Sequence, residues 1–75
     1  MANEVIYKNV KRKVFDEVSD LCEYGKEVCN PFFTNVTVYY NGTNLEGDMR
    51  IEVKSGETSI YKIMLQKVAE ILSKY

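Results

Sequence analysis

The sequence predicts an α+β fold in the order αββα: an antiparallel β-hairpin with two amphipathic helices packed on one face. Three observations predict it. Apolar residues recur at helical spacing near both ends of the chain, the middle alternates apolar with polar, and Asn41-Gly42 divides the alternating stretch. The chain has 75 residues, read as a single domain, residues 1–75, since two cores cannot be built from so few.

The first helix is expected over residues 4–27. At 100° per residue, Tyr7, Val10, Val14, Val18, Leu21, Cys22, Val28 and Cys29 share one side. Ile6, Phe15 and Tyr24 widen that side to roughly half the circumference, against the ~100° stripe of an ordinary surface helix. Such a face calls for burial on two flanks. Asn3 is placed to cap the start, Gly25 to loosen the last turn, and Asn30-Pro31 to stop the helix. A second start is open. Val5-Ile6-Tyr7 is β-prone, which would make a short strand with the helix beginning at Asn9.

Residues 32–40 form the first strand of the hairpin, with Phe32, Thr34, Val36, Val38 and Tyr40 on one face. Asn41-Gly42 is a strong type I′ turn signal, because both central residues need positive φ. In the second strand Leu45, Gly47, Met49, Ile51 and Val53 point inward, and Glu46, Asp48, Arg50, Glu52 and Lys54 outward. A two-residue turn sets Val38 opposite Leu45, Val36 opposite Gly47 and Phe32 opposite Ile51, so every inward residue meets another. Gly47 leaves a gap on the inner face for a helix to approach. Ser55-Gly56 turns the chain, and Thr58 or Ser59 caps a final helix reaching the C-terminus. Its apolar face is Ile60, Tyr61, Met64, Leu65, Val68, Ile71, Leu72 and Tyr75, with Ile63 among the polar residues.

Composition excludes several functions. The chain has no histidine, which removes the commonest general base and the usual metal ligand. Cys22 and Cys29 lie seven apart. On a helix they would sit about 10 Å apart along the axis, beyond the ~7 Å limit between Cα atoms of a disulfide. They read as two free, buried thiols in a reducing compartment, hence a cytoplasmic protein. The first residues carry no long apolar run of the secretory kind. Asn35-Val36-Thr37 and Asn41-Gly42-Thr43 are then chance matches to a glycosylation acceptor. The glycines are scattered and make no phosphate cradle, and no stretch suits a membrane span. No enzyme, metal site or cofactor is expected.

Charge is the remaining signal. Lys8, Lys11, Arg12 and Lys13 crowd the front of the first amphipathic segment, and Asp16, Glu17, Asp20, Glu23 and Glu27 its back. A helix favours the reverse order, acids first and bases last. Asp16, Asp20, Glu23 and Glu27 project within about 60° of one another, as a stripe that either solvates the helix or meets a partner. Lys13 can reach Glu17, and Arg12 can reach Asp16.

Two partner readings follow. Two copies of the first helix laid antiparallel bring Lys8 near Glu27 and Arg12 near Glu23, as a two-fold axis requires. The stripe can also dock a basic patch on another protein, in the manner of a nucleic-acid mimic, although a net charge of -1 is weak for one. The opposite reading gives Lys8, Lys11, Arg12 and Lys13 to phosphates, with Tyr39 stacking a base. The overall charge balance counts against it. A two-stranded sheet also leaves two open edges, and both helices carry wide apolar faces. A homodimer would resolve both, through a joined four-stranded sheet or paired helices.

The expectation is a small non-enzymatic protein-binding module, homodimeric and cytoplasmic. It would act as regulator or inhibitor of a larger protein through Asp16, Asp20, Glu23 and Glu27, in the style of phage or mobile-element accessory proteins. The alternative is a nucleic-acid-binding module using the basic cluster.

Overall fold

The computed structural model describes residues 3–54 and 58–75. Its elements run β1 (Asn3–Lys11), α1 (Arg12–Glu27), β2 (Val36–Gly42), β3 (Glu46–Val53) and α2 (Thr58–Leu72). The α+β class holds, and the order gains a strand at its front, βαββα. The strands form one antiparallel three-stranded sheet in the order β1-β3-β2. Val36, Met49, Ile51 and Val53 from the sheet share one core with Val14, Val18 and Cys22 of α1 and Met64, Val68 and Ile71 of α2. Both helices therefore cover the same face, and the other face lies open.

Residues 4–11 are strand, which corrects the expected helix start at residue 4 and the capping role of Asn3. The strand alternative at Val5-Ile6-Tyr7 was right in kind but short at its end, because the helix begins at Arg12, not Asn9. The misreading has a physical source. Tyr7 faces Met49 and Val10 faces Gly47, so Lys8 and Asn9 together oppose Asp48. This is a β-bulge. Asn9 takes φ 55, and its N–H donates to Asp48 Oδ1 at 3.3 Å. Asn is one of the few residues that tolerates this left-handed conformation. The extra residue spaces the inward Tyr7 and Val10 by three instead of two, and Val14 follows four later. A bulged strand running straight into a helix thus imitates helical periodicity.

α1 ends in a Schellman motif. Cys29 N–H donates to Lys26 C=O at 3.1 Å and Asn30 N–H to Gly25 C=O at 2.8 Å, with Cys29 at φ 57. This turn swings Cys29 out of helical phase. It is exposed, contrary to the expected burial, while Cys22 is buried; both thiols are free. Gly25 does more than loosen the last turn. A methyl there would overlap the Phe33 ring, so the glycine is the seat on which buried Phe33 packs.

Residues 31–35 are turns, not the first part of a strand. Asn30 Oδ1 accepts from Phe32 N–H at 3.0 Å, and Phe33 N–H donates to Asn30 C=O at 3.1 Å. The hairpin then pairs Val36 with Val53, Val38 with Ile51 and Tyr40 with Met49. The expected register is displaced by six positions, with Val38 opposite Ile51 instead of Leu45. An even displacement keeps inward residues facing inward, which is why the pattern alone could not detect it. Asn41-Gly42 stays in the strand. Thr43 makes the turn instead, its hydroxyl accepting from Leu45 N–H at 3.2 Å and Glu46 N–H at 3.3 Å. Leu45 is consequently exposed in the loop. Gly42 faces Gly47, and a Cβ on either would collide with the other's backbone and press on Tyr40. The gap at Gly47 admits that ring, not a helix.

α2 buries Met64, Val68 and Ile71, as its spacing predicted, and leaves Ile63 exposed. Thr58 opens the helix. The Ser55-Gly56 turn lies outside the described residues. Among the described residues no helix is long and apolar enough to cross a membrane.

Candidate functional site

α1 lies over β2 at one end of the core. Phe15 stacks on Tyr40 with ring centroids 4.9 Å apart, and the Arg12 guanidinium sits 5.0 Å over the same ring. The opposite flank of α1 meets α2: Glu17 accepts from Lys74 Nζ at 2.8 Å and from Tyr75 Oη at 3.3 Å. The Lys74 hydrogen bond holds the Glu17 carboxyl below the ordinary glutamate range. The expected Lys13–Glu17 pair is thus replaced by a contact between helices. The Arg12–Asp16 pair forms as expected, at 3.0 Å.

Between these flanks Asp16, Asp20, Glu23 and Glu27 are all exposed on α1. Asp16 is neutralised by Arg12, but among the described residues Asp20, Glu23 and Glu27 have no ion-pair partner. Tyr24 and Val28 share this end of the helix and are 65% and 54% exposed. The C-terminal half of α1 therefore presents carboxylates interleaved with unusually exposed apolar groups. Sequence reasoning placed Tyr24 and Val28 on the buried side. The wide apolar face it inferred is only partly covered.

Arg12 is set apart from the three lysines. Lys8 lies on the bulge of β1 and pairs with Asp48 at 3.4 Å. Lys11 ends the strand, Arg12 is held by Asp16 and two aromatic rings, Lys11 and Lys13 line a shallow open cleft of about 370 Å³ with Asn44, Leu45, Glu46 and Tyr75, and Lys8 and Lys11 line a second one that shares Tyr75. Lys8 near Glu27 of a second helix is no longer a helix–helix contact, because Lys8 is not on α1. The start of α1 has no acid in its first turn and no side-chain cap. Its first N–H is satisfied instead by the hairpin loop, through Arg12 N–H to Leu45 C=O at 2.9 Å. The inverted charge order is thus offset in part by backbone from another element.

On the open sheet face Arg50 binds Glu4 at 2.9 Å and Glu52 at 2.7 Å and stacks 4.0 Å over Tyr39. This cluster was not legible while residue 4 was read as helix. Its partial signal was the outward pair Arg50 and Glu52. As for chemistry, burial pushes the Cys22 thiol up to about 11, so it stays protonated and inert. Among the described residues no group of three or more metal-ligating side chains is gathered. Comparison with protein-family models, curated proteins and solved structures finds no match to this chain, and its candidate site rests on its own geometry.

Proposed function

We propose that this chain is a small, non-enzymatic, cytoplasmic protein-binding module, homodimeric, that regulates or inhibits a larger protein through the acidic face of α1. The observation that carries the reading is the set of exposed carboxylates Asp20, Glu23 and Glu27, unpaired among the described residues, beside exposed Tyr24 and Val28. Carboxylates at these spacings repel one another by a few tenths of a kcal/mol per pair, a cost that a basic partner would reverse. An exposed tyrosine supplies the apolar anchor typical of protein interfaces. The partner is accordingly basic, with an apolar strip along its contact.

A basic amphipathic helical peptide of Lys and Leu tests the reading by titration calorimetry. The wild type is expected to bind it, and Asp20→Lys with Glu23→Lys to lose about tenfold or more in affinity, a change of about 1.4 kcal/mol, with an unaltered circular dichroism spectrum. Equal binding by both proteins would remove the acidic face from the account. Retention on heparin at low salt, abolished by Lys11→Glu with Arg12→Glu, would favour the nucleic-acid alternative instead.

A further inference from the structure

The two edges of the sheet are not alike. β1 carries the bulge at Lys8-Asn9 and the charges Glu4, Lys8 and Lys11, devices that discourage a further strand. β2, Val36–Gly42, has no charge, no proline and no bulge, and its pairing with β3 is regular from end to end. Lys54 N–H donates to Asn35 C=O and Thr43 N–H to Glu46 C=O. The odd-numbered residues between therefore bond β3, and Val38 and Tyr40 turn both N–H and C=O to the open edge. Among the described residues nothing bonds those groups.

We propose that β2 is a self-pairing edge: two copies join β2 to β2, antiparallel about a two-fold axis through Tyr39, with Val38 of each bonded to Tyr40 of the other, and the three-stranded sheets become one of six strands. The proposal rests on the homodimer reading and supplies its interface. Charge complementarity selects a second copy as the occupant. α1 crosses the sheet with its Phe15 and Arg12 flank turned to β2, against Tyr40, so the symmetry that pairs the strands also brings the two α1 helices side by side and antiparallel. Arg12 at the start of each then flanks the acidic end of the other. Glu23 lies on the Arg12 flank of α1 by helical phase. An uncharged strand brings no like charges together at the seam. The Tyr39 side chains, 42% exposed in one copy, meet across the axis on the open face. Asp20 and Glu27 remain directed away from the sheet, free for an outside partner.

The register is testable by crosslinking. Residues facing each other across the axis at a non-hydrogen-bonded position have Cα atoms about 4.5 Å apart, within the range a disulfide spans. In a Cys29→Gly background, which removes the exposed thiol, Tyr39→Cys oxidised with diamide is expected to give a covalent dimer. Thr37→Cys should not, because its copies lie about 14 Å apart at ~3.4 Å per residue. Sedimentation equilibrium should show a wild-type dimer. Tyr39→Glu, which keeps Arg50 as a neighbour but sets two carboxylates face to face, should weaken it about tenfold or more without loss of far-UV signal. A wild-type monomer throughout the micromolar range overturns the interface and the homodimer reading together. A wild-type dimer that neither crosslinks at position 39 nor responds to Tyr39→Glu overturns the interface alone.

Discussion

Gly25 and Cys29, four residues apart, show how single positions govern the end of α1. Alanine usually gains about 1 kcal/mol over glycine in a helix interior. At Gly25 the added methyl meets the Phe33 ring, itself buried, and overpacking costs about 1–3 kcal/mol. Gly25→Ala is therefore expected to destabilise, by up to about 2 kcal/mol net of these two terms. Phe33→Leu should relieve part of that loss, a coupling that a double-mutant cycle in urea would measure. Cys29 is the reverse case. It holds the left-handed φ of 57 where glycine is the common residue. Cys29→Gly should gain up to about 1 kcal/mol, read as a higher urea midpoint at unchanged slope. A thiol titration of the native wild type should find Cys29 reacting at once and Cys22 only after unfolding, since burial keeps its thiol protonated.

At the scale of elements, α2 and the alternation of β3 were legible because each keeps one period from end to end. β1 was not, because its bulge changes the period inside the strand. The hairpin turn was misplaced for a different reason. Asn41-Gly42 has the right chemistry for a two-residue turn, but Gly42 is required opposite Gly47 to seat Tyr40, and a dipeptide signal cannot distinguish the two uses. The charge stripe was legible as a helical face, and its four acids do share one. Its basic counterpart was not, because Lys8 and Lys11 belong to a strand. The bulge makes its own prediction. A β-branched residue at φ 55 costs about 1–2 kcal/mol, so Asn9→Val should lower stability by that amount while Asn9→Gly is tolerated. Thermal melts of the pair decide it: equal melting temperatures would mean that the bulge is absent in solution.

Across the whole molecule, the contact of Glu17 with Lys74 and Tyr75 ties the first helix to the end of the chain. The Glu17 carboxyl is held below its ordinary range in the folded state, chiefly by its hydrogen bond from Lys74. The group therefore contributes stability that is present above its unfolded-state pKa and is lost as pH falls through the lower folded value. Glu17→Gln should lower the melting temperature at neutral pH, flatten its decline on acidification, and converge with wild type in strong acid. Because the pair is exposed, added salt should shrink the difference. The strand order β1-β3-β2 has a consequence in time as well as in space. β3, on which both outer strands depend, leaves the ribosome after both of them. Until it emerges, β1 has no partner and must wait with Val5 and Tyr7 uncovered, and its eventual contacts span about forty residues of chain. Distant pairing of this kind slows folding. In pulse-labelling hydrogen exchange, β1 should accordingly gain protection in step with β3 and not ahead of it, so the N-terminal strand is made first and secured late.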